Sequence, residues 1–206
     1  MLALLANRAT KLKKSLRVIF YLPSVLSVSI ASLIAKYTFT PYTGLINGTL
    51  HALGLLPKSE ELQWLQDPNL VWITISVMTV WWTIGFSMLL YLSALQDISP
   101  DVYEAASIDG ASSIQQLFRI VLPLLKPTTW LVFLLQMIAC FKVFGQIYMI
   151  TGGGPASSTR PLIQYIYENA FGKSNMGYAA AMSYVLFGIL LILSLAQQIL
   201  QRKGEE

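Results

Sequence analysis

The chain's 206 residues are 55% hydrophobic and only 12% charged, and their mean hydropathy is +0.59. That balance excludes an ordinary soluble domain and points to a membrane protein. The formal net charge of +4 is no argument for nucleic-acid binding, because in a membrane chain the placement of Lys and Arg matters more than their sum.

Residues 1–7, MLALLAN, are too short an apolar segment for a signal peptide with its cleavage site. They read as the end of a helix that begins upstream, so the chain is expected to be N-terminally truncated. A helix needs about 20 apolar residues to cross the hydrocarbon core. Four stretches meet or nearly meet that length: residues 18–35, 70–95, 124–150 and 178–200. Each has few charges and no run of turn residues, so a helix that satisfies its own backbone is the expected spanning form. The first is short and carries Pro23, Ser24, Ser27, Ser29 and Ser32, which bundled membrane helices tolerate. The predicted fold is therefore all-α: a polytopic membrane protein of about four transmembrane helices, one membrane domain over residues 1–206.

Basic residues set the orientation, since short cytoplasmic loops accumulate them. Arg8, Lys11, Lys13, Lys14 and Arg17 precede the first stretch, Arg119 and Lys126 flank the 96–123 loop, and Arg202 and Lys203 follow the last stretch. With alternating spans all of these fall on one side, so both the N-terminal basic segment and the C-terminus are expected in the cytoplasm. Lys36, Lys58, Arg160 and Lys173 are spread over two longer loops on the external side. The first of those, residues 37–69, is broken by Pro41, Gly44, Gly48, Gly54 and Pro57. Residues 46–56 within it predict a short helix at the membrane surface, on which His51 reads as an ordinary interfacial residue with no role. Cys140 is the single cysteine and has no partner for an internal disulfide.

The 96–123 loop is too long for a turn and too polar for lipid. Ser99 can cap a helix, Pro100 suits its first position, and Asp101 favours the positive end of its dipole. The helix should run through Val102, Tyr103, Glu104, Ala105, Ala106 and Ile108 and stop near Gly110, which takes left-handed backbone readily. A second helix from about Ser113 presents Ile114, Leu117, Phe118 and Val121 at helical spacing. Exposed apolar residues on such a two-helix knob mark a docking face.

If the chain carries a solute across the membrane, the middles of the long spans are where it would pass. For residues 70–95 the middle is near Trp82, with Thr83 and Phe86 beside it. For residues 124–150 it is near Gln136, with Ala139, Cys140 and Val143 on the same face. Gln136 reads as the only strongly polar side chain deep in that stretch, and a buried amide left unpaired costs roughly 1 to 3 kcal/mol. Two readings stand: it bonds across helices, or it meets a polar solute. Lys142 is a charge within a span, placed where its stem can snorkel outward or find an internal partner, or where it can gate or meet the solute. Beyond it, Thr151-Gly152-Gly153-Gly154-Pro155 makes a sharp helix exit. No strand precedes it and no Lys-Ser/Thr follows, so it is not a phosphate loop.

The 104–123 segment, EAASIDGASSIQQLFRIVLP, resembles the signature loop of binding-protein-dependent ABC importer permeases: EAA, three residues, Gly, nine residues, then Ile-x-Leu-Pro. Glu104, Ala105, Ala106, Gly110, Ile120, Leu122 and Pro123 fit every fixed position. The resemblance implies that these residues, with Asp109, dock on an ATP-binding subunit and carry its motion into the membrane. LINGTLHALGL around Asn47, the Leu95-Gln96 pair, Thr151 to Pro155 and Gly177-Tyr178-Ala179-Ala180-Ala181-Met182-Ser183 look like the carbohydrate branch, of the maltose-permease type.

By that resemblance the expected setting is a bacterial plasma membrane. The partners would be a second permease subunit, two cytoplasmic ATP-binding subunits and an external solute-binding protein, the last against Gly152, Gly153, Gly154 and Pro155. Membrane lipids complete the surroundings; nucleic acid is not expected. ATP and magnesium would belong to the partner ATPases, so the chain itself is expected to hold no cofactor, no metal and no catalytic residue. Family members usually carry six spans, two more than here, and often have an acidic residue where Gly145 stands. A non-functional permease fragment and an intramembrane enzyme acting on a lipid-linked substrate remain as alternatives. The enzyme reading would use the Asp97, Asp101, Glu104 and Asp109 cluster, which helix starts and the signature register also explain.

Overall fold

A computed structural model describes residues 2–7 and 13–203, excluding the side chains of Lys13 and Lys203. Arg8 and Lys11 of the N-terminal basic segment lie outside the described residues. Helices and turns account for the described chain, and no strand occurs among those residues. In order the helices are α1 (Leu2–Asn7), α2 (Lys13–Val25), α3 (Val28–Thr38), α4 (Leu45–Ala52), α5 (Leu70–Gln96), α6 (Pro100–Ile108), α7 (Ser113–Gln116), α8 (Leu122–Leu124), α9 (Lys126–Phe141), α10 (Gly145–Ile150), α11 (Leu162–Tyr167) and α12 (Met176–Lys203). Two wide π-helical turns are inserted, Leu117–Val121 before α8 and Glu168–Gly172 after α11.

Two helices, Leu70–Gln96 and Met176–Arg202, are each long and apolar enough to cross a membrane unaided. Two further spans exist only if broken pairs are counted as one, for a total of up to four. The 18–35 stretch, read as a single helix, is therefore corrected: α2 stops at Val25 and α3 begins at Val28. Pro23 lies inside α2 and has no N–H for the carbonyl one turn back. Ser27 then caps the new helix, its hydroxyl accepting the Ile30 N–H at 3.3 Å.

The 124–150 stretch is likewise not one helix. Ser113–Leu124 meets Lys126–Phe141 at 58°, and the chain opens again over residues 142–144 before α10. Lys142 N–H splits its bond between Ile138 O (3.1 Å) and Ala139 O (3.2 Å), and Phe144 leaves helical backbone at φ −146°, ψ −67°. What the break achieves is burial of α10: Gln146, Ile147 and Ile150 all turn inward.

The chain forms two compact units. The first comprises residues 1–25, 83–137 and 194–206. Its core gathers Ala3, Ala6, Met88, Leu95, Val121 and Leu125, with Phe20, Tyr91 and Tyr103 around them. A Cβ on Gly85 would strike the Phe20 carbonyl and lie 2.7 Å from Tyr21 Cα, so α2 crosses α5 backbone to backbone. Only glycine permits that approach. Farther along, Gln197 on α12 donates to the Trp130 carbonyl at 2.7 Å.

The second unit comprises residues 26–82 and 138–193. Ala31 and Ala35 on α3 pack with Met78 and Ile150, while Val71, Ile75 and Ile147 form an adjoining cluster. Alanines on α3 let α10 come close, the small-residue packing expected when lipid offers no hydrophobic drive between helices.

Candidate functional site

Within the first unit, the 96–123 loop is built as its residues dictate. Ser99 accepts the Asp101 N–H at 3.3 Å and Pro100 opens α6. Asp109 ends the helix, its N–H bonding Ala105 O at 3.0 Å, and Gly110 follows at φ +78°. A side chain at that φ is strained by about 1–2 kcal/mol. Ser112 and Gln115 form a reciprocal cap on α7, with the Ser112 N–H donating to Gln115 Oε1 at 2.8 Å. One tie was not read from the sequence. Gln116 Nε2 donates back to Ser107 Oγ at 3.0 Å and to the Ala111 carbonyl at 3.2 Å, joining the two helices across the bend.

Tyr103, Leu117 and Val121 pack on the first unit's core, but three of the loop's apolar side chains do not. Ile108 is 86% exposed, Ile114 71% and Phe118 63%. Glu104, Ala105 and Asp109 are exposed, whereas Ala106 is buried. Ile120 is half-buried, and Leu122 and Pro123 are exposed where α8 begins. Pro123 cannot donate to the preceding turn, and the wide turn just before it is closed by Leu122 N–H to Leu117 O.

The mid-span residues are placed separately in the two units. In the first, Gln136 Nε2 donates to Ser87 Oγ at 2.9 Å, tying α9 to α5; Thr83 is half-buried and Phe86 exposed. In the second, the Trp82 indole N–H donates to the Leu26 carbonyl at 3.1 Å, satisfying a group opened by the α2–α3 break. Ala139, Cys140 and Lys142 are exposed there, and Val143 is half-buried. Gln136 is not the only deep amide of its stretch. Gln146 is 8% exposed and donates to Thr79 Oγ1 at 2.8 Å. A lone amide in an apolar run was the available signal for it.

The glycine turn, also in the second unit, is wired inward. Gly152 and Gly153 take positive φ, and the Gly154–Pro155 peptide is cis. Thr159, itself buried, donates to Gly154 O at 2.6 Å. Gln164 is fully buried on α11 and donates to Gly152 O and to Glu168 Oε1, each at 2.8 Å. Of the four turn residues proposed as a protein contact, Gly152 is exposed, Gly153 buried, and Gly154 and Pro155 half-buried.

His51 is no idle surface residue. Its Nδ1 faces the Leu56 carbonyl and its Nε2 faces Glu61 Oε1, each at 3.1 Å. Glu61 Oε2 accepts from the Tyr42 N–H (3.0 Å) and from Asn47 Nδ2 (2.6 Å). Asn47 in turn accepts the Trp64 indole at 2.7 Å. With acceptors at both ring nitrogens, the Leu56 carbonyl first and Glu61 second hold the His51 pKa above its ordinary 6.5, against partial desolvation and the like charge of Lys58. The Tyr42 N–H, with His51 and Asn47, holds the Glu61 carboxyl below its ordinary range. Among the described residues, no cluster of three or more His, Cys, Asp and Glu could hold a metal.

Residues 1–204 match the family described as the binding-protein-dependent transport system inner membrane component. The chain belongs to that family. Membership places it among transport components of the inner membrane rather than enzymes. Relatives include the probable ABC transporter permease protein YurN of Bacillus subtilis, 35% identical over 92% of this chain and 64% of that protein. Another is the sulfoquinovosyl glycerol transport system permease protein SmoG of Agrobacterium fabrum, 36% identical over 91% of this chain and 60% of that protein. The chain thus spans less than two thirds of the length of these relatives. Among solved structures it is similar to a bacterial alginate ABC transporter in complex with an alginate pentasaccharide-bound periplasmic protein. That similarity has a TM-score of 0.88 and 26% identity, covering 98% of this chain and 70% of the other.

Proposed function

We propose that the chain is a membrane-spanning subunit of an ATP-driven importer that admits a sugar or related polar solute to the cytoplasm. The observation that carries this is the loop from α6 to α8. It is a capped, cross-bonded pair of short helices that leaves Ile108, Ile114 and Phe118 bare. Bare apolar side chains on a loop this polar need a partner, and a cytoplasmic ATP-binding subunit is the partner that family membership favours. Glu104, Ala105, Ala106, Asp109, Gly110, Ile120, Leu122 and Pro123 form the docking and transmission segment. A second permease subunit completes the membrane part.

The solute pathway in this reading runs past Thr83, Phe86, Ala139, Cys140 and Val143, with Trp82 and Gln136 as its supports. Each of these two has a hydrogen bond inside the chain already. A solute-binding protein meets the opposite side, where the exposed edge of the glycine turn is Gly152 with Ala156, Ser157 and Ser158.

The decisive experiment puts a cysteine at Glu104 in a Cys140→Ser background and labels intact and opened cells with an impermeant maleimide, alongside pull-down of the ATP-binding subunit. Labelling only after opening, with co-purification lost in Ile108→Asp/Phe118→Asp, is the expected result. Labelling of intact cells would overturn the orientation and with it the docking role.

A further inference from the structure

Helix α10 with its N-cap residue, the end of α11 and the wide turn after α11 hold an aromatic cluster that the import reading does not use. The ring of Phe144 lies 5.3 Å from that of Tyr148 and 5.1 Å from that of Tyr167. Tyr148 and Tyr167 meet edge to face at 5.9 Å, and Tyr167 lies 5.2 Å from Phe171. Despite this mutual packing the rings are not shut away: Tyr148 is 47% exposed, Tyr167 40% and Phe171 68%. They border a cleft of about 510 Å³ whose remaining lining is Glu168, Gly172 and Lys173.

The polar part of this cleft is held in position from behind. Glu168 accepts from Arg160 Nη1 at 3.2 Å and from the fully buried Gln164 at 2.8 Å, which leaves further lone pairs on the carboxylate for a hydroxyl donor. Lys173 Nζ is 5.8 Å from the centre of the Tyr165 ring, over whose face Arg160 also lies at 4.8 Å. The hydroxyls of Tyr148 and Tyr167 bond no other described residue. A lipid-facing aromatic girdle anchors rings at the headgroup level, but it does not set a carboxylate and an ammonium in the same depression, where acyl chains would desolvate both. The combination fits a molecule with an apolar face and a polar rim. A sugar ring has that form: its C–H face lies on aromatic rings while its hydroxyls reach donors and acceptors at the edge.

We propose that this cleft is a receiving site for a sugar ring on the outer side of the membrane, a subsite separate from the mid-span residues; the proposal rests on the sugar-import reading above. Tyr167 and Phe171 supply the stacking surface, Tyr148 the flank, and Glu168 with Lys173 the hydroxyl contacts.

The test uses the assembled transporter in nanodiscs without solute-binding protein for equilibrium binding of tritiated lactose, raffinose and trigalacturonate, and in proteoliposomes with it for uptake. At least one of the three sugars should bind and be taken up. Phe171→Ala and Tyr167→Ala should weaken its binding about tenfold, while Tyr167→Phe, which keeps the ring, should weaken it far less. Basal ATP hydrolysis and affinity for the solute-binding protein should stay at wild-type values. If Tyr167→Ala does not assemble, Phe171→Ala decides, because that ring is the most exposed of the cluster.

Uptake with no direct binding, or with binding unchanged in both alanine variants, overturns the cleft and leaves the import reading standing. A loss confined to affinity for the solute-binding protein reassigns the rings to a protein contact and also overturns it. A wild-type transporter that takes up none of the three sugars overturns the sugar reading and the cleft together.

Discussion

Gln116 on α7 reaches back across the bend to donate to Ser107 on α6 at 3.0 Å, and the same amide holds the Ala111 carbonyl. Two short helices that would otherwise hinge at Gly110 are thereby fixed as one body. A rigid body transmits displacement, whereas a hinged one absorbs it. Gln116→Ala removes both bonds, each worth about 0.5–1.5 kcal/mol. Because Gln116 is only half-buried and Ser107 is exposed, the expected stability loss is at the low end. The expected phenotype is uncoupling: ATPase subunits still co-purify, while solute moved per ATP hydrolysed falls several-fold. An unchanged ratio in proteoliposomes would remove Gln116 from the transmission path.

Gly85 permits the backbone crossing of α2 on α5, with Tyr21 Cα only 2.7 Å from where a Cβ would stand. Neither backbone can give way without moving a helix. Gly85→Leu should therefore cost several kcal/mol, about 3 or more by analogy with severe overpacking, and lower the detergent melting temperature by many degrees. Gly48→Ala, where a Cβ meets nothing within 4 Å, is the control that should melt like wild type.

Gln136 offers a direct contest between a structural and a solute-binding role. If its bond to Ser87 at 2.9 Å is its whole purpose, Gln136→Leu and Ser87→Ala each destabilise, by about 1 kcal/mol, and the double substitution costs no more than the worse single one. If it also meets solute, Gln136→Leu raises the half-saturating solute concentration at least several-fold while Ser87→Ala does not. Melting curves together with transport kinetics on the three variants separate the two.

The His51–Glu61 pair makes the segment between α3 and α5 sensitive to pH. The folded pKa of His51 is raised, so its contribution is complete below the ordinary 6.5 and is lost as pH rises through the higher folded value. Glu61 is lowered, so its contribution is complete above the ordinary 4.5 and is lost as pH falls through its folded value. The segment should be tightest between those two ordinary values. His51 is the only histidine in the chain, so nitrogen-15 histidine labelling follows it without assignment. The expected titration midpoint lies above 6.5 and moves down in Glu61→Gln, with amide exchange of the segment accelerating on the alkaline side. A midpoint at or below 6.5 would contradict the geometry.

Much of the 96–123 loop was legible because its signals are local. Ser99-Pro100-Asp101 starts a helix, Gly110 ends one, and Ser112 with Gln115 caps the next, all within a few residues of each other. The long helices α5 and α12 were legible for a similar reason, since length and hydropathy are summed over one stretch. Where the reading went wrong, the cause lay at a distance. The break before Val28 is sustained by Trp82, 56 residues away in the chain. The opening at residues 142–144 serves the burial of Gln146 against Thr79, 67 residues away. His51 looked idle because its partners, Leu56 and Glu61, are set by the path of a loop that has no periodicity to read.

A π-helical turn closes one residue later than an α-helical turn, so the wide turn Leu117–Val121 carries a surplus residue between α7 and α9. Winding that residue into ordinary α-helix instead would swing everything N-terminal to the turn by about 100° about the local axis. Ile108 and Ile114 would then aim somewhere new while every cap survived. The surplus residue thus acts as an angular setting: it fixes the azimuth at which the knob presents Ile108 and Ile114, independently of how well the knob itself is made.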